Sequence, residues 1–307
     1  MGPGIPMHPT NAVILSGAQR SRKPALSEAE GDLRLGHTPR AKSWRILIAP
    51  RMAEGESPSQ ASTCRVRLDT IEPMPQFPPG QTLLIDADDT LWENNIYFER
   101  AIAAFIGYLN HHEYTSAEVR HTLNAAERET ILAHGYGLTS FTRSLVTCFE
   151  RLSPGPVTEE KTERILGFAR SIAEQEIELL PGVAETLAEL ASRHRLILMT
   201  KGDEAEQADK LARSGLATYF SAVEIVPEKD PPTYREVIQR HELTPHTSWM
   251  IGNSIKSDIN PALAAGLHAV FLFHKDTWIL EHAALDPVSQ GQYLLELDSF
   301  AKLSAIF

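Results

Sequence analysis

The stretch Leu83-Leu84-Ile85-Asp86-Ala87-Asp88-Asp89-Thr90 decides the fold of this 307-residue chain. Its three apolar residues indicate a short buried strand, and the acidic residues that follow mark the carboxyl end of that strand. Residues two apart on an extended backbone point to the same side, so Asp86 and Asp88 are expected to share a face. Three carboxylates within four residues repel one another unless a cation or a buried lysine gathers them. The stretch therefore predicts a strand end that binds a ligand.

Three later strand ends also carry polar residues. Thr200 ends the apolar run 196–199, Lys229 follows the run 222–226, and the segment Gly252-Asn253-Ser254-Ile255-Lys256-Ser257-Asp258 follows the run 249–251. Helical and strand patterns alternate across this region, which predicts right-handed βαβ units and a parallel sheet. Each strand end alone is compatible with a turn or a helix cap. Because the carboxyl ends of parallel strands meet in one crevice, the four together favour a shared site.

Nearly 100 residues without a convincing strand separate the first strand from the second. Helices are predicted at about 95–111, 115–134, 138–152, 158–179 and 182–193. Thr115 and Glu118 have the spacing of a capping box at the start of the second helix. These patterns predict an α/β fold in which a Rossmann-like parallel-sheet core, residues 80–93 and 194–307, carries an inserted α-helical cap domain, residues 94–193.

Charge is unevenly distributed along the chain, whose formal net charge is −11. Residues 1–73 carry ten basic and seven acidic side chains, whereas residues 74–307 carry 19 and 33. An acidic body argues against a partner that is nucleic acid or an anionic membrane. Residues 1–79 show no sustained helical or strand period and are expected to be a disordered leader. Met74 stands just before the first strand, which leaves open that translation of the natural protein starts at this residue.

The cysteine content and hydropathy bear on the cellular compartment. Cys64 and Cys148 lie 84 residues apart, which is neither a disulfide framework nor a zinc-ligand spacing. We therefore expect plain thiols in a reducing compartment, the cytoplasm. No stretch approaches the roughly 18 apolar residues of a membrane span, and the first residues lack the pattern of a signal peptide.

In their order and context, the four strand ends resemble the motifs of the haloacid dehalogenase superfamily. The matching positions are Asp86, Asp88 and Thr90 in the first motif, Thr200 in the second, Lys229 in the third, and Asn253 and Asp258 in the fourth. The resemblance covers roughly residues 80–275. The chain departs from the family pattern at Asp89, where glycine is often found, and at Asn253, where an acid is usual. Asp89 is expected to cap a helix or bond to its loop rather than to bind metal.

The resemblance implies a chemical role for each of these residues. Asp86 would be the nucleophile that attacks phosphorus, and Asp88 the general acid and base. Mg²⁺ would bind Asp86, the main-chain carbonyl of Asp88, Asp258 and the amide carbonyl of Asn253. Lys229 would neutralise charge around the nucleophile. The residues that would hold the phosphate or the rest of the substrate are Thr200, Lys201, Gly202 and Asn94.

The implied activity is magnesium-dependent hydrolysis of a phosphate monoester through an aspartyl phosphate, on a small phosphorylated metabolite or nucleotide. A phosphomutase stays open, because the same intermediate can pass its phosphoryl group to a second hydroxyl. A dehalogenase needs only the nucleophile, so Asp88 and a plausible metal site disfavour it. A receiver-like phospho-acceptor or binding protein shares the Asp, Thr and Lys, but it lacks a helical insertion of this size and a final acid such as Asp258.

Overall fold

The computed structural model describes the backbone of residues 44–48 and residues 74–109, 114–153 and 155–307. The strands are β1 (Trp44–Ile48), β2 (Thr82–Ile85), β3 (Arg195–Lys201), β4 (Ala222–Val226), β5 (Ser248–Gly252), β6 (His268–Leu272) and β7 (Tyr293–Leu297). They form one sheet in the order β1-β7-β6-β5-β2-β3-β4. Strands β2 to β7 run parallel, and β1, at the edge of the sheet, pairs antiparallel with β7. The predicted α/β fold with a parallel sheet is confirmed.

The order of the strands puts β2 in the middle of the sheet. Ile85, its last residue, pairs with Leu198 of β3 on one side and with Ile251 of β5 on the other. The next residue, Asp86, still donates its backbone N–H to the carbonyl of Ile251 at 2.9 Å. From β2 the chain builds the sheet outward first through β3 and β4 and then through β5, β6 and β7. Asp86 therefore lies at the point where this order reverses, where ligands of open α/β sheets bind.

The helices are α1 (Asn95–Leu109), α2 (Ser116–His134), α3 (Leu138–Leu152), α4 (Glu159–Ala173), α5 (Val183–Ala191), α6 (Glu204–Ser214), α7 (Pro231–Arg240) and α8 (Asn260–Ala264). Helices α1 to α4, here called the helical insertion, have a hydrophobic cluster of their own around Phe105, Leu123, Leu145 and Ile165. The capping box of Thr115 opens α2 as predicted. The insertion therefore has the core expected of a separate helical layer.

Helix α5 lies outside that layer, although residues 94–193 were predicted as one cap domain. Val183, Leu187 and Leu190 are fully buried in the hydrophobic cluster of the sheet. Their spacing of four and three residues places them on one face of α5, which packs on the core. Helix α4 also ends at Ala173, before the predicted residue 179. The structure therefore assigns the last part of the predicted cap to the core.

Two described parts of the predicted leader are ordered. β1 adds a strand to the edge of the sheet. The ring of Phe77 lies 4.5 Å from that of Trp249 and 5.6 Å from that of Phe307, centroid to centroid. The prediction of disorder across residues 1–79 does not hold for residues 44–48 and 74–79. The rest of the leader, with Cys64, lies outside the described residues.

The sequence patterns also did not predict β7. After β5, a π-helical turn, Ile255–Ile259, precedes the short α8. Nowhere in the described part of the chain does a helix have the length and apolar character needed to cross a membrane.

Candidate active site

A buried lysine joins two carboxylates at the carboxyl end of the sheet. The Nζ atom of Lys229 donates hydrogen bonds to Asp86 Oδ1 at 2.5 Å and to Asp258 Oδ1 at 2.7 Å. The side chains of Lys229 and Asp258 are each 1% exposed. Burial lowers the pKa of Lys229, but the charges of Asp258 and Asp86 outweigh it and raise the pKa above its usual value. Lys229 is therefore a fixed positive charge beside Asp86.

Asp258 lies in the π-helical turn after β5. Its Oδ2 accepts a hydrogen bond from the backbone N–H of Ser254 at 2.9 Å. Burial, with the nearby charge of Asp86, raises the pKa of Asp258 to about 7, although Lys229 opposes the shift. One lysine thus only partly compensates the two carboxylates, and an additional cation would favour their ionised forms.

Thr90 and Asn253 complete an oxygen-rich face next to Asp86. The Thr90 hydroxyl donates to Asp86 Oδ2 at 2.9 Å and lies 3.4 Å from Asn253 Oδ1. The Nδ2 group of Asn253 donates to Thr277 Oγ1 at 3.1 Å. These partners orient the amide so that its carbonyl oxygen lies on the side of Thr90 and Asp86. Asn253 can therefore offer an oxygen, but no charge, at this site.

The side chain of Asp88 is held by three donors. It accepts hydrogen bonds from Trp92 Nε1 at 2.8 Å, from Gln207 Nε2 at 2.9 Å and from Lys210 Nζ at 2.9 Å. Burial raises the pKa of Asp88, but the charge of Lys210 and the three donors hold it below its usual value. Asp88 is therefore ionised in this arrangement, ready to accept a proton rather than to give one.

Three acidic residues thus lie at the carboxyl end of the sheet. Asp86 lies beside the buried lysine, Asp88 follows it by two residues, and Asp258 comes after β5. A family model of haloacid dehalogenase-like hydrolases matches residues 81–266, which is more than half of the chain. The chain belongs to the haloacid dehalogenase-like hydrolase family. The resemblance drawn from the four strand ends is thus confirmed.

Similar proteins fall in the same family. A haloacid dehalogenase-like family hydrolase from Xanthomonas campestris has a solved structure that is 30% identical, covers 75% of this chain and 95% of its own, and has a TM-score of 0.60. Phosphoserine phosphatase of Thermus thermophilus is 29% identical over 62% of this chain and 87% of its own. Human N-acylneuraminate-9-phosphatase is 27% identical over 40% of this chain and 51% of its own. The chain thus spans about half the length of this human relative.

The residues predicted to bind phosphate in this haloacid dehalogenase-like hydrolase line the same cleft as Asp86 and Asp88. Two of them have other hydrogen-bond partners. Lys201 Nζ donates to Glu281 Oε1 at 2.7 Å and to Ser257 Oγ at 2.8 Å. The backbone N–H of Gly202 donates to Val226 O at 3.2 Å. Thr200 is buried, with its hydroxyl 3.5 Å from the side chain of Gln207. Because the Lys201 ammonium group and the Gly202 amide are engaged, this arrangement does not support their predicted phosphate contacts.

Asp89 closes the loop between β2 and α1. Its carboxylate accepts the backbone N–H groups of Asn94 at 2.9 Å and Asn95 at 3.0 Å, so it caps α1 in the way the sequence suggested. Burial raises the pKa of Asp89 to about 7. Asp89, Glu93 and His274 also offer ligand atoms that all lie within 4.8 Å of one another, a second group that could hold a divalent cation.

Lys210 and Gln207 are functional candidates that the sequence interpretation missed. They lie three residues apart on α6, so they share the helix face that meets Asp88. In the sequence, the N-cap residue Asp203 marks the start of this helix, and the spacing of Gln207 and Lys210 places both on one face of it. These two features could have identified the pair. Asn94, which was predicted, also accepts a hydrogen bond from Lys210 Nζ at 2.8 Å.

The helical insertion covers this site. The Tyr136 hydroxyl donates to Glu228 Oε2 at 2.7 Å, and the backbone N–H of Leu138 donates to the Glu206 carboxylate at 2.9 Å. A cleft that is partly open to solvent, with a cavity volume of about 160 Å³, lies between the insertion and the sheet.

Gly252 is required by the close approach of Asp258. A Cβ atom at residue 252 would lie 2.2 Å from Asp258 Oδ2, so Gly252→Ala must displace the carboxylate. We expect this variant to lose about 1–3 kcal/mol of unfolding free energy and most of its activity. Urea denaturation and steady-state kinetics measure both effects. Gly167→Ala is the matched control, because residue 167 is exposed in α4 with open space around it. Equal behaviour of the two variants would show that Asp258 is not fixed by this contact.

Proposed function

We propose that this hydrolase is a phosphatase that cleaves a small phosphate monoester through an aspartyl phosphate on Asp86. The observation that carries the proposal is the buried contact of Lys229 with Asp86 and Asp258 at the switch point of the sheet. The phosphatases of Thermus thermophilus and human among the relatives support it. The names of these two relatives are those of enzymes for small phosphorylated metabolites, so we propose a substrate of that size.

In the proposed reaction, an Asp86 oxygen attacks phosphorus and the bond between phosphorus and the ester oxygen breaks. Asp88 gives a proton to the leaving oxygen, which departs as an alcohol. Water then attacks the aspartyl phosphate, Asp88 takes up the proton of that water, and inorganic phosphate leaves with Asp86 restored. Lys229 reduces the negative charge that builds up when a phosphate approaches Asp86.

Asp88 has to be protonated for the first of these steps. In the structure its pKa is low because burial is outweighed by Lys210 and its other donors. A phosphate dianion beside Asp88 would disfavour a second negative charge and raise that pKa. The dianion would also compete for Lys210, which would weaken the contact that holds the carboxyl ionised. We propose that substrate binding itself prepares Asp88 as the acid.

The residues present fit a magnesium ion. The donor set is all oxygen, as Mg²⁺ prefers. Because Gly252 has no side chain, the Asp258 carboxylate has room to lie at this position. The residues that would hold the ion are Asp86, the main-chain carbonyl of Asp88, Asn253 and Asp258. The ion would supply positive charge toward the phosphate oxygens.

The test is a panel of small phosphate esters, assayed for phosphate release with Mg²⁺ and with a chelator. We expect turnover of at least one ester and its loss on chelation. A parallel assay with 2-haloacids measures halide release. Halide release without phosphate release would contradict the proposal in favour of a dehalogenase. Transfer of phosphate between hydroxyls without release would favour a mutase.

Asn253→Asp is expected to tighten Mg²⁺ binding about tenfold, because it adds a carboxylate to the proposed donor set. Without Mg²⁺ the same variant should be less stable than wild type, since Asp86 and Asp258 already lie close together. Calorimetric titration with Mg²⁺ and urea denaturation in chelator measure the two effects. An unchanged affinity for Mg²⁺ would place the ion away from residue 253.

We also propose that the reaction takes place in the cytoplasm. Cys148 is a free, buried thiol, and burial raises its pKa to about 12, so it stays protonated and unreactive.

A further inference from the structure

Glu127 is a buried carboxyl group in the helical insertion that the proposed reaction does not use. It lies on α2 and lines the cleft, and the residue is 5% exposed. Its Oε2 atom is buried without a hydrogen-bond partner. Arg120, the favourable charge with the largest effect on Glu127, pairs with Glu99 instead. Burial raises the pKa of Glu127 to about 7. An acceptor left unpaired at such a place points to a ligand that pairs with it.

The surroundings of Glu127 define the kind of ligand. The other residues that the helical insertion presents to the cleft are mainly apolar or carry hydroxyls, among them Phe98, Ile102, Phe141, Ser140 and Ser144. Aromatic and aliphatic side chains bury the apolar body of a small ligand, and a few polar groups fix its orientation. The insertion thus offers an apolar wall with one acceptor that lacks a partner.

Each cationic side chain that lines the described cleft is already paired with a carboxylate of the sheet core. Among the described residues that line the cleft, the cations are Lys201, Lys210 and Lys229, and there is no arginine. Each lysine pairs with carboxylates of the core: Glu281 for the first, Asp88 for the second, Asp86 and Asp258 for the third. If the substrate carried a second anionic group besides its phosphate, that group would face the carboxyl of Glu127 and would find no unpaired cation among the residues that line the cleft.

We propose that Glu127 accepts a hydrogen bond from a hydroxyl or amino group on the leaving group of the substrate, and that the cleft selects against esters with a second anionic group. This inference rests on the proposed phosphatase function and specifies its substrate class. The leaving group would have an apolar surface and a hydrogen-bond donor. Amines and hydroxyls are both hydrogen-bond donors, and Glu127→Gln distinguishes them.

The test measures binding, so that it does not depend on turnover. The probes are benzylphosphonates with an aminomethyl, hydroxymethyl, methyl or carboxymethyl group in the para position, titrated calorimetrically into the full chain with Mg²⁺. We expect the two donors to bind about tenfold or more tighter than the methyl compound. The carboxymethyl compound should bind most weakly. Equal affinity for all four, or preference for the carboxylate, would overturn the proposal.

Two variants assign the preference to Glu127. Glu127→Leu should abolish the preference for donors and keep the affinity for the methyl compound within about twofold. Glu127→Gln keeps a neutral acceptor, so it should retain the preference for hydroxymethyl and lose that for aminomethyl if the ligand is an amine. Glu129→Leu is the matched control, because residue 129 is exposed on the same helix. A preference that survives Glu127→Leu would place the acceptor elsewhere and overturn the proposal.

Phosphate release from the matching benzyl phosphates separates the two proposals. Donor preference without hydrolysis would contradict the phosphatase function and leave the Glu127 subsite standing. Hydrolysis without donor preference would overturn the subsite and leave the phosphatase function standing.

Discussion

Asp86→Asn is expected to lower kcat for phosphate-ester hydrolysis by about a thousandfold or more. An amide oxygen is a poor nucleophile and cannot form the aspartyl phosphate, so the reaction loses its covalent route. The substitution keeps the shape of the side chain. The amide oxygen can accept from Lys229, and the amide NH2 group can donate to the Thr90 hydroxyl, which bonds to the other Asp86 oxygen in the wild type. The loss should therefore come from chemistry rather than from folding. Steady-state phosphate release and intact-mass detection of the phosphorylated chain after an acid quench measure the two consequences.

The control for this variant is Asp209→Asn. Asp209 lies on α6 near the site, but its side chain is 63% exposed and its partner is Arg213. Its substitution should leave kcat unchanged. Asp86→Asn should also melt close to the wild-type temperature and still bind a benzylphosphonate. Activity within tenfold of wild type would mean that a different residue attacks phosphorus.

The fold was predictable where it depends on repeated patterns. Alternating helices and strands indicate a parallel sheet, because each crossover has to return the chain to the same edge. β1 and β7 escaped this reasoning for a physical reason. Both are five-residue strands with charged residues among apolar ones. β1 lies at the edge of the sheet, next to β7, and pairs with this partner about 250 residues later. Such pairing depends on tertiary contacts that no local period records.

The candidate site was predictable only in part. Asp86, Lys229 and Asp258 converge because strand topology alone brings their positions to one edge. The hydrogen bonds of Asp88 with Lys210 and of Lys201 with Glu281 depend on side-chain rotamers and on how α6 and the loop after β6 pack. Whether a lysine ammonium group is free to bind phosphate or is already paired with a carboxylate depends on the tertiary structure. For this reason the sequence could not show that Lys201 is paired with Glu281.

Lys229→Met is expected to lower the free energy of unfolding by about 3–5 kcal/mol and to abolish activity. The substitution removes one partner of a buried ion pair and leaves Asp86 and Asp258 without compensation, which is the costly way to break such a pair. Urea denaturation with a chelator present measures the loss. Lys256→Met is the matched control, because that lysine is 46% exposed, so its removal should cost less than about 1 kcal/mol.

The pH dependence of this loss distinguishes charge from packing. The folded-state pKa of Asp258 is already raised to about 7 by burial, and removal of Lys229 should raise it further. A carboxyl group whose pKa is higher in the folded than in the unfolded chain loses stability as pH rises between the two values. The difference between Lys229→Met and wild type should therefore grow as pH rises above about 7, the folded-state pKa that Asp258 already has in the wild type. Adding Asp258→Asn should recover much of the stability but no activity. A loss that is constant with pH and unaffected by the second substitution would mean that Lys229 stabilises the fold by packing alone.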